Sequence, residues 1–181
     1  MTNGVVPSKD TEGRLRMASE QSQRMRPERR LVQKVVGYVV DHGRLLVFTH
    51  DDVALEIAGV QVPAGTLEPG ESPAEAVVRE VLEETGRRTR VVRDLGVERY
   101  DVRPSKNEVH ERHFFQLELI DELALDRWSA GEDHPSDGGA PQRWTCWWSP
   151  MEHAHVLCAG FGARLGQLVL GNDDEAPAQA V

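Results

Sequence analysis

The sequence predicts an α/β protein in which a mixed β-sheet lies between helices. Three observations point there. Residues 32–50 hold two β-branched runs around an Asp-His-Gly turn. Residues 72–86 carry complete start and stop signals for a helix. Further strand-like runs follow that helix, and a proline-led stretch with helical apolar spacing closes the order.

Taken in order, residues 1–30 lack a sustained apolar pattern and hold seven Lys/Arg against four Asp/Glu. They read as a flexible, basic N-terminal segment with a short helix around 11–25. Val32–Asp41 is β-branched, Asp41-His42-Gly43 is a tight turn, and Arg44–His50 is the partner strand. Val53–Ile57 and Gly59–Val62 read as short strands. Arg90–Val102 reads as a long strand or hairpin arm. Val109–Ile120 alternates, with His113, Phe115, Leu117 and Leu119 on one face. Residues 121–141, rich in Gly, Asp and Pro, read as a loop. Arg143–Ser149 is a strand with Trp144, Cys146 and Trp148 on one side. Pro150 opens a predicted helix over 151–169, with Val156, Leu165, Leu168 and Val169 as its contacts. The tail, 171–181, is acidic, Ala/Pro-rich and expected to be disordered. The predicted organisation is thus a lead-in (1–30), one domain (31–170) and a tail (171–181).

The helix over 73–85 carries the chemistry. Ser72 can cap it, Pro73 suits its first position, Glu75 can complete a capping box, and Gly86 can end it. Ala74, Val77, Val78 and Val81 form the apolar stripe that would seat it on the sheet. Glu80, Glu83 and Glu84 then share a neighbouring face in the last two turns. Anions are disfavoured at that end of the dipole by up to roughly 1 kcal/mol each. They also repel one another at these spacings. A divalent cation among them would relieve both costs.

Gly65, Glu71, Arg79-Glu80, Val81, Glu83-Glu84 and Gly86 stand at the offsets of the Nudix box, and the chain resembles the Nudix hydrolases. Eight positions match. A ninth departs, because Arg87 stands where the family has an apolar residue that packs under the helix. With its flanking strands the resemblance extends over roughly residues 32–170. It implies a Nudix-type α/β/α sandwich and a pyrophosphohydrolase acting on a diphosphate linkage with Mg²⁺ or Mn²⁺. Hard cations of this kind favour oxygen ligands. By the resemblance, Glu83 and Glu84 are the main metal ligands, Glu80 is a ligand or the base, and the Ala64 carbonyl completes the set. Glu71 would orient these groups, and Arg79 would hold a neighbouring glutamate by charge-assisted hydrogen bonds. In the family the base can come from a later loop; Glu111, Glu132 and Asp133 are candidates, and Glu132 is ranked first because it lies in the long 121–141 stretch.

The implied substrate is a nucleoside diphosphate joined to another moiety. ADP-ribose or another ADP-sugar is slightly favoured, although Pro104 stands out of register with the proline of ADP-ribose cleavers. Two other functions compete. A non-catalytic nucleotide-sensing or regulatory module would be expected to lose box carboxylates, and none is missing. A diphosphate isomerase would need a catalytic thiol, for which Cys146 is the strand candidate. His110 and His113 flank Glu111, but a strand residue plus a packed histidine explains them more simply than a second metal site. His153 and His155 do not share a helix face. For Trp144, Trp147 and Trp148, core packing outweighs base stacking.

Composition narrows the setting. The net charge is −9, but the first 30 residues carry +3 and the remainder −12. An acidic body disfavours general nucleic-acid binding, which requires phosphate-neutralising cations. The two cysteines have no paired spacing and read as buried thiols. No apolar run approaches the ~18 residues of a membrane span, and no signal-peptide core precedes the first strand, so a cytoplasmic protein is expected. The dimers common among Nudix hydrolases suggest a homodimer.

Overall fold

The computed structural model describes residues 29–120, 125–132 and 140–168. Strand β1 (Arg30–Asp41) turns at His42-Gly43 into β2 (Arg44–His50), with Asp41 opposite Arg44. A single-turn helix α1 (Leu55–Ala58) follows, and then β3 (Ala64–Thr66), which pairs antiparallel with β1. Helix α2 (Pro73–Thr85) leads to β4 (Thr89–Asp101) and β5 (Glu108–Leu119), an antiparallel pair. Strands β6 (Arg127–Glu132) and β7 (Gln142–Pro150) come last, followed by 3-10 turns at Met151–Val156 and Leu165–Gln167.

Among the described residues the strands form one sheet in the order β4-β5-β1-β2-β7-β6, with β3 joined to β1. Gln33 of β1 meets Glu111 and His113 of β5, and Gly37 lies against Leu117. The two strands therefore advance in the same direction, while the other pairings are antiparallel. The sheet is mixed.

Alternation divides the core in two. Val35, Val39, Phe48, Phe115, Leu117, Trp144, Cys146 and Trp148 face α2, which supplies Ala76, Val77 and Val81. On the other face, Val36, Tyr38, Leu45, Val47, Leu95 and Phe114 pack under the C-terminal segment through Ala154, Leu157, Phe161, Leu165 and Leu168. The result is the expected α/β/α sandwich, with short turns in place of one outer helix. Val77 and Val81 are fully buried, and each contributes roughly 1.5–3 kcal/mol by leaving water.

Several local expectations are corrected. Residues 53–57 are not a strand: Leu55–Ala58 makes one helical turn closed by the Gly59 N–H on the Leu55 carbonyl. Gly59–Val62 reduces to isolated bridges, Phe48 with Gln61 and Val60 with Leu157. The stretch 121–141 is not all loop, since β6 adds an edge strand to β7, with Trp128 opposite Cys146. The α2 stripe uses Ala76, and Ala74 is exposed. Among the described residues no continuous helix runs over 151–168, where the sequence predicts one over 151–169. Leu157 is drawn into the bridge with Val60, and the chain reverses at Ala159 and Gly160, which have φ of 50° and 76°. Three glycines at 160, 162 and 166 weaken helix further in this stretch. The expectations for the N-terminal lead-in fall, apart from Arg29 and Arg30, outside the described residues, as do those for the tail.

Candidate active site

Helix α2 is fixed at both ends. The Ser72 hydroxyl accepts from the Glu75 N–H, and the Glu75 carboxylate accepts from the Ser72 N–H, closing the predicted capping box. At the other end Gly86 adopts φ 67° and donates to the Leu82 carbonyl, a conformation that glycine adopts without a Cβ clash. Two indoles secure carbonyls that would otherwise lack partners. Trp144 Nε1 donates to the Glu84 carbonyl, and Trp128 Nε1 donates to that of Thr85 at 2.8 Å. The Arg87 guanidinium lies 4.4 Å over the Trp128 ring. A cation–π contact thus occupies the place that an apolar residue would fill, so the departure at Arg87 leaves the helix exit packed.

Arg79 organises the carboxylates. Its Nε and Nη2 grip Glu71 in a fork at 2.9 and 3.0 Å, while Nη1 donates to Glu80 at 3.0 Å and to Glu83 at 2.9 Å. Nη2 also reaches the Thr66 carbonyl at 3.1 Å, tying α2 to β3. The Arg79 pKa is raised, most strongly by its hydrogen bonds to Glu71, and Glu71 is correspondingly held below the usual carboxylate range. Glu84 turns toward β3 and accepts from the Ala64 N–H at 2.9 Å.

Glu80 is the buried member. Its side chain is 13% exposed, against 48% for Glu83. Burial raises its pKa, and Arg79 opposes the rise. It nests against Gly65: a Cβ there would lie 1.7 Å from Glu80 Oε1. Only glycine permits this approach.

These groups line a cleft of about 670 Å³ together with Lys34, His50, Gln142 and Trp144. The cleft brings together Ala64, Glu80, Glu83, Glu84 and Arg79. Glu71 stands behind them as a partner of Arg79. Glu132 lies at the end of β6, opposite the cleft residue Gln142. Glu111 is bonded to Gln33 and Arg99 and is not among the cleft residues. Asp133 lies outside the described residues. Sequence reasoning missed His50 and Gln142, which look like ordinary strand residues until β2 and β7 pair beside the helix end. Burial lowers the His50 pKa, and its ring packs edge-on to Trp144, with centroids 5.6 Å apart.

Other candidates find structural places. Trp148 is buried, and Trp144, although at the cleft wall, is only 3% exposed and packs against His50 and Phe48. His113 bonds Gln33, His110 bonds Glu108, and His153 and His155 are exposed. Cys146 is fully buried, and burial pushes its thiol up to about 12. It offers the cleft no nucleophile.

Among the described residues no three His, Cys, Asp or Glu side chains are already gathered around one point as metal ligands. Two contacts account for this: Arg79 Nη1 holds Glu80 and Glu83, and Glu84 is turned to the Ala64 N–H. The donor set nevertheless fits a hard cation. It is all oxygen and includes a desolvated carboxylate seated in a glycine-lined cradle.

The mixed sheet between its two covering layers, with the glutamate helix docked on one face, is the Nudix class of fold. Residues 31–164 match the family described as NUDIX domain. The chain belongs to the NUDIX family and is a Nudix hydrolase. Among curated proteins no match was found. Solved structures share the fold. A NUDIX hydrolase from Nitrosomonas europaea is 19% identical with a TM-score of 0.56, over 76% of this chain and 87% of that one. A UDP-X diphosphatase is 16% identical with a TM-score of 0.55, over 83% and 70%. An ADP-ribose pyrophosphatase from Streptococcus suis is 14% identical with a TM-score of 0.51, over 75% and 87%. Among the described residues no helix is long and apolar enough to cross a membrane.

Proposed function

We propose that this chain is a Mg²⁺- or Mn²⁺-dependent pyrophosphohydrolase that cleaves a nucleoside diphosphate joined to another moiety, with ADP-ribose or another ADP-sugar as the favoured type. The observation that carries the reading is Arg79, which ties Glu71, Glu80 and Glu83 beside Gly65 at the wall of one polar cleft. Two solved proteins of the same fold, a UDP-X diphosphatase and an ADP-ribose pyrophosphatase, are named for substrates of this class.

In this reading Glu83, Glu84 and the Ala64 carbonyl, with Glu80, hold the cation. When bound, such a cation would supply charge neutralisation for the diphosphate and activation of the attacking water. Glu71 acts at one remove by fixing the Arg79 guanidinium. Arg79 in turn sets the positions of Glu80 and Glu83 and keeps a positive group beside them. Gly65 lets the β3 backbone approach the carboxylates. We assign the general base to Glu132, at the end of β6 beside the cleft residue Gln142, and Glu80 is the second candidate. Both cysteines are free thiols, which accords with a cytoplasmic protein.

The test is a screen of nucleoside triphosphates, ADP-ribose, NADH and dinucleoside polyphosphates with Mg²⁺ or Mn²⁺, run beside Glu84→Gln. The expected result is turnover of an ADP-linked diphosphate that falls at least about tenfold in the variant. Undiminished hydrolysis would overturn the site assignment. Binding without turnover of any compound would instead mark a nucleotide sensor.

A further inference from the structure

A second cavity adjoins the cleft. It measures about 110 Å³ and is lined by Lys34, Ala64, Gly65, His110, Arg112 and Phe161, among others. Lys34, Ala64 and Gly65 also line the carboxylate cleft, so the two spaces share a wall. Ligand pockets for whole small molecules run to roughly 300–1,000 Å³. The smaller cavity therefore suits one group of a larger substrate.

Its distinguishing residue is Arg112. The side chain sits on the inner face of β5 and is only 6% exposed. Its guanidinium lies 4.2 Å from the Tyr100 ring and 4.8 Å from the Phe161 ring. One Nη1 hydrogen goes to the Ala159 carbonyl. An arginine carries five N–H donors, and among the described residues no carboxylate pairs with this one. Burial lowers its pKa, and the groups opposing that are Tyr100, Cys158 and Tyr38. A buried cation without a counter-charge is costly. Lys34 adds a second cation on the same wall, with Nζ on the Thr66 hydroxyl at 2.5 Å. Two carboxylates bear on Lys34: Glu80 across the shared wall, and Glu108, which is engaged with His110 at 3.2 Å.

We propose that Arg112, with Lys34 at the wall shared by the two spaces, binds a phosphate group of the substrate that lies beyond the scissile diphosphate. The preferred substrate then carries an anionic group on the moiety joined to the nucleoside diphosphate. This rests on the reading of the cleft as a diphosphate hydrolase site. The rings of Tyr100 and Phe161 hold the guanidinium plane in place, which leaves its free N–H edge for phosphate oxygens.

The test compares kcat/KM for ADP-ribose and ADP-ribose 1″-phosphate at saturating Mg²⁺ and fixed ionic strength, in the full chain and in Arg112→Gln and Lys34→Gln. The expected result is a preference of about tenfold or more for the phosphorylated compound, a magnitude typical of charge-assisted hydrogen bonds. Each substitution should bring the ratio close to one. Equal turnover of both compounds by the unaltered chain overturns the proposal and leaves the hydrolase reading standing. So does a preference that survives Lys34→Gln. Lys34 is the less buried of the two residues, and it carries the test if Arg112→Gln fails to fold. If neither compound is hydrolysed, calorimetry with inorganic phosphate decides the pocket separately. Binding that is lost in Lys34→Gln supports it, and absent or unaltered binding refutes it.

Discussion

Arg79 and Gly65 set the geometry of the carboxylates, one by attraction and the other by vacancy. The Arg79 fork on Glu71 leaves Nη1 to hold Glu80 and Glu83. A lysine keeps the charge but has no fork. Arg79→Lys should therefore lower kcat/KM by about 10–100-fold, with little change in melting temperature, as steady-state assays beside a thermal melt would show. Gly65→Ala acts differently. Its methyl would sit 1.7 Å from Glu80 Oε1, so the carboxylate must leave its place. Displacements of this size cost on the order of 10²-fold in turnover. Retained activity in Gly65→Ala would show that the Glu80 position is not needed.

At the scale of the element, α2 is held by its caps and by what β6 and β7 bring to its C-terminal end. Trp144→Phe strips the N–H from the Glu84 carbonyl and leaves a smaller ring in the buried site. That should destabilise the fold by about 1–3 kcal/mol in urea titrations. A wild-type midpoint in the variant would show that the indole does not anchor the helix end. The caps of α2 and its carboxylate face were legible because Ser72, Pro73, Glu75 and Gly86 are local signals, and because the box residues keep fixed offsets. The anchoring indoles were not legible. Trp128 lies in a stretch whose Gly, Asp and Pro content reads as loop, and only its pairing with β7 makes it a strand. The failed helix over 151–169 has a similar cause. Its apolar residues have helical spacing, but they dock one by one onto the sheet, and the Val60 bridge outweighs continuation of the turn. His50 and Gln142 escaped notice because strand pairing far along the chain brings them to the cleft.

At the scale of the whole molecule, the C-terminal segment is bound to the sheet through Tyr38. Its hydroxyl donates to the Phe161 carbonyl and accepts from the Arg164 N–H. Burial raises its pKa from the ordinary 10.0 to about 12. The folded state holds this proton more tightly than the unfolded chain. The contribution is therefore complete below pH 10, and it is lost as pH rises through about 12. Phenolate absorbance should show Tyr38 ionising well after a free tyrosine, and Tyr38→Phe should abolish the late phase. Ionisation of Tyr38 near pH 10 would contradict the docking described. Joined in this way, the sheet and its two covering layers bring α2, β3 and the ends of β2 and β7 to one cleft. The central claim is that the glutamates of that cleft hold a divalent cation. Titration of Mn²⁺ into the purified protein, followed by electron paramagnetic resonance, tests it most directly. The account predicts saturable uptake that weakens at least about tenfold in Glu84→Gln. Absence of uptake, both with and without ADP-ribose present, would contradict it.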